Sequence, residues 1–468
     1  MIIAIDGPAG SGKSTIAQQL AQKLGFLYLD TGATYRAVGL AVHLKTGKTD
    51  NFQPEEILKT LQEVQISVEY TEGVFKVFLN GEDITDKLRS EEVGKYASLV
   101  AQYPEVKEKL FEFQRKLVNN GNAVVEGRDA GLYVFPDADI KIFMTASPAE
   151  RAKRRYLQLK EKGITDISFE EILRAIVERD QRDQNRKHYP FKPAPDATII
   201  DTTGKSLEEV FNKVWKIVEP YLNVFITGIG SGLGKALAKE FLSRGYKVFA
   251  LSRHLPEDLK DNPNLVFEKA DLGRLEEVYS KTYRLLEKVN RQLPWVILNA
   301  GILGELKLMR DVSLREIQKV MDINVWANKI IFDTLEDLIN QNKLKVGQII
   351  AISSGAAVNC NKGWNAYSMS KATLNCMVKL YHWEFPKSHL VSLAPGLILT
   401  PMLQHIIEEV DAEKFPSVKR LQQSPKLTPE NAAKMLIEVF PKLLKFPSGS
   451  FVDVRQAAPD VYSKYLSS

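Results

Sequence analysis

Two glycine-rich segments stand where a chain could close on phosphate. The first, Gly7-Pro-Ala-Gly-Ser-Gly-Lys-Ser-Thr15, fits the pattern G-x-x-x-x-G-K-[ST]. Gly7, Gly10 and Gly12 let the backbone N–H groups around Ser11 curl about phosphate, Thr15 completes the ATP-binding segment, and the helix after it adds its positive end. Lys13 is placed to reach the β- and γ-phosphates of ATP, and Ser14 to meet Mg²⁺. The second segment, Thr227-Gly-Ile-Gly-Ser-Gly-Leu-Gly234, follows a strand and opens a helix, the setting in which glycines admit the pyrophosphate of a dinucleotide. Further on, Tyr367 and Lys371 lie one helical turn apart. A phenol of ordinary pKa ~10 gives up its proton more readily beside an ammonium, so this pair could move a proton.

These groups need elements to hold them. Ile2–Asp6 and Val224–Thr227 are short apolar runs, each leading through a glycine turn into a helical pattern, and the repetition marks two domain starts. Leu207–Tyr221 carries apolar residues at helical spacing and reads as the last helix of the first domain, with the second domain's first strand beginning at about Asn223. The expected domains are 1–222 and 223–468. Gln65–Asn80 alternates apolar and polar residues about a turn at Glu72-Gly73, predicting a hairpin in a small insert at about 62–90. Strand patterns at Lys247–Leu251, Leu265–Glu268, Trp295–Leu298, Gln348–Ser353 and Leu390–Leu393 alternate with helical stretches, as a doubly wound parallel sheet requires. The fold class is therefore α/β throughout: a phosphate-loop domain followed by a Rossmann-type domain.

Beyond its glycine loop, the first half contains Asp30-Thr-Gly-Ala-Thr-Tyr-Arg36, Glu126-Gly-Arg-Asp129, Val134-Phe-Pro-Asp-Ala138, Ala146-Ser-Pro-Ala-Glu-Arg151 and Glu178-Arg-Asp-Gln-Arg-Asp-Gln-Asn-Arg186. With these motifs it resembles bacterial-type cytidylate kinase over about 1–222, a nucleoside monophosphate kinase that takes ATP, Mg²⁺ and CMP or dCMP. The resemblance implies that Thr31, Tyr35, Arg36, Arg128 and Asp129 hold the monophosphate and its sugar, and that Arg179 and Arg186 clamp the phosphoryl group in flight. Fixed positive charge is what phosphoryl transfer asks of a protein. It also implies that Arg151, Arg154 and Arg155 begin a lid over ATP, and that Ser98, Lys107 and Asp183 face the base. A carboxylate at Asp183 can accept from the cytosine amino group and would repel the uracil carbonyl. Lys107 stands where the family usually has Arg, and Leu132 where it usually has Thr.

In the second half the glycine loop is followed in order by Asp271-Leu272, Asn299-Ala-Gly301, Asn324-Val-Trp326, Ile352-Ser-Ser354, Tyr367-Ser-Met-Ser-Lys371 and Pro395-Gly396 with Thr400. That set resembles the short-chain dehydrogenase/reductase family across about 223–458. The resemblance implies that Ser354 bonds the substrate carbonyl oxygen, Tyr367 protonates it as hydride arrives, Lys371 also holds the nicotinamide ribose, and Asn324 supports the proton relay. The dinucleotide would lie against Gly228, Gly230, Ser231, Gly232, Leu233, Gly234, Asp271, Asn299, Ala300, Gly301, Pro395, Gly396 and Thr400. Where NAD enzymes place an acid at the end of the second strand, this chain has Leu251-Ser-Arg253, and Arg253 favours the 2′-phosphate of NADP(H). Lys362-Gly-Trp364 and Ser448-Gly-Ser-Phe-Val-Asp453 resemble the sepiapterin and benzil reductase branch, which implies Trp364 and Asp453 as substrate contacts.

The bulk composition sets outer bounds. The chain has 468 residues, enough for more than one core, with 44% hydrophobic and 26% charged residues. A net charge of +5 without a run of Lys or Arg suits small anionic substrates and points away from nucleic acid. No apolar stretch approaches the ~18–20 residues of a membrane helix. Two cysteines, Cys360 and Cys376, without metal-ligand spacing suit a reducing cytoplasm. The expected partners are thus small molecules, including a carbonyl compound not named by the sequence, with a homodimer through the reductase half. Two functional readings stay open: a bifunctional enzyme, or a working CMP/UMP kinase joined to a non-catalytic NADP-binding regulatory module.

Overall fold

The computed structural model describes residues 1–71, 74–161, 163, 167–185 and 187–466. The chain separates into two units, Ile2–Val218 and Glu219–Ser468. In the first, the strands are β1 (Ile2–Asp6), β2 (Leu27–Asp30), β3 (Ile66–Thr71), β4 (Val74–Leu79), β5 (Glu82–Asp83), β6 (Ala123–Gly127), β7 (Ile140–Thr145) and β8 (Thr198–Asp201). Among the described residues five of them form a parallel sheet in the order β2-β6-β1-β7-β8, and three form a separate antiparallel sheet, β3-β4-β5. The residues of β1 and β6 are almost all buried, because helices cover both faces of a parallel sheet. The expected turn at Glu72-Gly73 lies outside the described residues.

The second unit contains β9 (Asn223–Thr227), β10 (Lys247–Ser252), β11 (Leu265–Lys269), β12 (Gln292–Leu298), β13 (Lys345–Ile352), β14 (His389–Ala394) and β15 (Ser450–Asp453). They make one parallel sheet in the order β11-β10-β9-β12-β13-β14-β15. This is the doubly wound order, whose direction of growth reverses beside β9, so the glycine loop that follows β9 opens at the switch point. The α/β class read from the sequence is the one observed. Two strands start three residues earlier than the sequence pattern: β13 at Lys345 rather than Gln348, and β12 at Gln292 rather than Trp295, running through Pro294. Proline is tolerated because β9 pairs with β12 only from Trp295 onward, while β13 pairs at Leu293 and Trp295 on either side.

A close helix crossing shapes the first unit. Helix Thr31–Thr46 packs on helix Glu91–Val100, and a Cβ at Gly39 would stand 2.8 Å from the main-chain carbon of Tyr96. Only a residue without a side chain allows that approach. Gly39→Val should destabilise the first unit by ~1–3 kcal/mol through overpacking, seen as faster amide hydrogen exchange across residues 31–46; unchanged exchange there would contradict the packing argument.

Two candidate active sites

The first site forms where β1 turns into helix Lys13–Leu24. Gly7 cannot be replaced, since a Cβ would lie 2.1 Å from the Met144 carbonyl oxygen on β7. Gly12 caps the helix in the left-handed region at φ 88°, leaving the N-terminal N–H groups facing outward. Opposite them, Ser14 Oγ donates to Glu126 Oε1 at 2.6 Å and Lys13 Nζ lies 3.6 Å from Glu126 Oε2. Glu126 is 3% exposed and also accepts from Tyr28 at 3.1 Å. Among the described residues its Oε2 has no hydrogen-bond donor. A glycine-rich loop, an ammonium, a hydroxyl and a spare buried carboxylate oxygen fit a magnesium-bound triphosphate. From helix Pro148–Glu161, Arg154 donates to the Gly10 carbonyl at 3.3 Å and to the Thr202 carbonyl at 2.7 Å. Arg151 pairs with Asp180 and donates to the Ala146 carbonyl at 3.0 Å.

On the acceptor side, Arg128 and Asp129 directly follow β6. Arg128 pairs with Asp183 of helix Phe169–Gln184, and Lys107 of helix Pro104–Val118 donates to Asp129 Oδ2 at 3.0 Å. Lys107 is buried and lies 5.0 Å from the ring centroid of Tyr189, which meets Tyr133 edge to face. The structure thus gathers Lys107, Arg128, Asp129 and Asp183. Thr31 joins them from below, donating to the Glu126 carbonyl at 3.0 Å, with Tyr35 on the same helix. Arg36 and Arg179 are exposed on their helices, and exposed Ser98 donates to the Gly94 carbonyl of its own helix. Arg186 lies outside the described residues.

The second site is a cavity of about 740 Å³ at the switch point. Gly228, Gly230, Ser231, Gly232, Leu233 and Gly234 line one end. A Cβ on Gly234 would stand 2.1 Å from the Gly228 carbonyl oxygen, so the turn closes only around glycine. Asn299 Nδ2 donates to the carbonyls of Thr227 and Gly228 at 3.2 and 3.1 Å, tying the loop to the end of β12. Arg253, Asp271, Asn299, Ala300, Gly301, Pro395, Gly396 and Thr400 continue the lining, and Ser354, Trp364, Tyr367 and Lys371 complete it. A cradle that any Cβ would fill, leading into a long cavity, fits a dinucleotide.

Behind the wall, a wide π-turn at Asp322–Trp326 interrupts the helical run and brings Asn324 inward. Asn324 bonds the Ile302 carbonyl and the Ser370 hydroxyl, both at 2.9 Å, and accepts from the Ile302 N–H at 2.8 Å. Burial pushes the Tyr367 phenol above its usual 10.0, and its hydrogen bond with Ser354 works in the opposite direction. Sequence spacing assigns that lowering to Lys371. The Lys371 ammonium instead donates to the Ile352 carbonyl at 2.7 Å, 5.7 Å from the Tyr367 ring centroid, and burial takes its own pKa down to about 8. Asp453 does not line the cavity. Arg455 holds it by two bonds of 2.9 and 2.6 Å, and it is Arg455 that reaches the cavity.

The family model described as "Cytidylate kinase" matches residues 3–220. Among curated proteins, the cytidylate kinase of Aquifex aeolicus (strain VF5) is 49% identical over 219 residues, covering 47% of this chain and 96% of its own. The chain belongs to the cytidylate kinase family. The cytidylate kinase of Caldicellulosiruptor saccharolyticus is 46% identical over 215 residues, again 46% of this chain and 94% of its own. A second family model, "short chain dehydrogenase", matches residues 222–411, so the cytidylate kinase domain is fused to a short-chain dehydrogenase domain, and both are families of enzymes. A solved short chain dehydrogenase family protein from Francisella tularensis subsp. tularensis SCHU S4 is similar at 24% identity and TM-score 0.42, over 50% of this chain and 96% of that one.

Two groups of the kinase site escaped the motif reading. Glu126 sits inside a recognised motif, and its signal was an acid on an otherwise apolar strand. Asp6 ends β1 in the same way, accepting from Ala130 and Gly131 N–H at 2.8 and 2.7 Å, and burial raises its pKa to about 7. In the dehydrogenase domain, Ser370 was missed. It bridges Asn324 to the Tyr367 carbonyl, to which it donates at 2.8 Å.

Buried Lys371 yields a stability test. Its folded pKa of about 8 lies below the usual 10.5, so between those values the unfolded chain binds more protons and folding stability rises with pH. Relative to Lys371→Met, the wild-type dehydrogenase domain should gain up to ~1.4 kcal/mol per pH unit over that window. Urea unfolding of both proteins from pH 7 to 10 checks this, and a constant difference would show that Lys371 is not titrating early.

Proposed function

We propose that the first half transfers the γ-phosphoryl group of ATP to CMP or dCMP, and that the second interconverts a carbonyl and an alcohol with NADP(H). The observation that carries the reading is a full set of reacting groups at the glycine loop of each sheet, Lys13–Ser14–Glu126 in one and Ser354–Tyr367–Lys371 in the other. In the kinase half Lys13, Arg128, Arg179 and Arg186 neutralise the moving phosphoryl oxygens, and Ser14 meets Mg²⁺ with Glu126 behind it. Thr31, Tyr35, Arg36 and Asp129 hold the acceptor monophosphate and sugar. Ser98, Lys107 and Asp183 face the base, the Arg128–Asp183 and Lys107–Asp129 pairs being ready to exchange for nucleotide contacts.

NADPH, when bound, supplies the hydride. Arg253, exposed at the end of β10, pairs with its 2′-phosphate. Ser354 orients the carbonyl oxygen, Tyr367 gives it a proton, and Lys371 with Asn324 and Ser370 restores that proton. We place both reactions in a reducing cytoplasm, supported by Cys360 and Cys376 being unpaired. Among the described residues no helix is long and apolar enough to cross a membrane. A homodimer through the dehydrogenase half is supported by Met369, Leu380 and Trp383, 42%, 61% and 76% exposed along and just after the helix that carries Tyr367.

Lys13→Ala should abolish phosphorylation of CMP and dCMP in a coupled ADP assay and leave NADPH oxidation unchanged. Wild type should prefer CMP to UMP; equal turnover of the two would remove Asp183 from base selection. For the other half, Tyr367→Phe should keep NADPH affinity while slowing carbonyl reduction by about a hundredfold or more. Near-normal turnover in that variant would remove Tyr367 from the mechanism, and wild-type NADPH binding without oxidation by any carbonyl would return the second half to a binding module.

A further inference from the structure

The substrate end of the dehydrogenase cavity has a distinct chemistry. Its wall is apolar, built from Leu403, Ile406 and Leu421 with Trp364, Leu397 and Met402. Helix Pro416–Gln423 closes over it. The Phe415 ring fills the space above Gly363, where a Cβ would stand 2.5 Å from it, and Ser417 Oγ accepts from Trp364 Nε1 at 2.8 Å. Trp364 in turn lies 5.9 Å from Tyr367 between ring centroids. One turn past Ser417, Arg420 lines the same cavity as Tyr367 and Ser354.

The charges there have one sign. Arg420 and Arg455 both line the cavity, whereas Asp453, the acid that a guanidine-like substrate would need, is already held by two bonds from Arg455. Among the described residues the acid that lines the cavity is Asp271, at the start of the loop after β11. An apolar wall with guanidinium and no opposing carboxylate selects an anionic group on a hydrophobic body, because a planar guanidinium matches a carboxylate in two bonds. We propose that the carbonyl substrate is an oxo acid, with its carboxylate on Arg420 and its ketone on Ser354 and Tyr367. The inference rests on the reductase reading given above. The reaction balances as one hydride from NADPH to the carbonyl carbon and one proton from Tyr367 to its oxygen, the C=O π bond opening to an alcohol. Water then reprotonates the phenolate by way of Lys371, Asn324 and Ser370.

The test uses the full chain, NADPH, and a series of aliphatic oxo acids with one to six carbons between ketone and carboxylate, each beside its methyl ester. At least one acid should exceed its ester in kcat/KM by ~10–100-fold, the worth of a charge-assisted contact. Arg420→Leu should erase that ratio by raising the KM of the acid, while Arg420→Lys keeps part of it. Esters turned over as well as acids, or a ratio that survives Arg420→Leu, would overturn the proposal. Turnover of neutral ketones alone would overturn it while sparing the reductase reading. Failure of every acid, ester and neutral ketone to oxidise NADPH would instead overturn the reductase reading itself.

Discussion

A backbone N–H can serve an anion only where no side chain stands between them, and both halves of this protein are arranged around that constraint. In the kinase half the loop leaves β1 so close to β7 that Gly7 admits no Cβ beside the Met144 carbonyl. In the dehydrogenase half Gly234 is pinned against the Gly228 carbonyl. Each loop lies at the end of a strand inside a parallel sheet, where neighbouring strands on both sides supply the partners that hold it. The helix that follows each loop then points its positive end at the same space.

Around those loops the two halves handle charge differently. The kinase half buries opposite charges together: Glu126 faces Lys13 and Ser14, Lys107 faces Asp129, and Arg128 faces Asp183. Such pairs are neutral reservoirs from which a nucleotide can draw partners, and leaving either member alone would cost far more than the pair contributes. The dehydrogenase half buries an ammonium at Lys371 with a carbonyl for company, and burial draws its pKa down. That charge is available to whatever enters the cavity, and the strained proton balance is what a proton-transfer site requires. Asp6 shows the same economy in the first half, its raised pKa being tolerated because its carboxylate pins the chain after Asp129 to β1.

What the sequence by itself determined was everything carried by local spacing: the α/β class, two glycine loops each set between a strand and a helix, and the Tyr367–Lys371 pair on one turn. These follow from backbone geometry within a few residues, and a chain of any overall shape would have to respect them. The tertiary structure decided which distant groups meet. Glu126 reaches Ser14 across 112 residues because β6 lies beside β1. Asp453 looked like a substrate anchor by position, but β15 and the turn after it deliver it to Arg455 and leave the guanidinium facing the cavity. Lys371 sits one turn from Tyr367, as the spacing requires, yet its ammonium is drawn to the Ile352 carbonyl because β13 ends within its reach. Spacing sets where a side chain starts, whereas burial and the nearest opposite dipole set where its charge ends, and those depend on strands far away in the sequence.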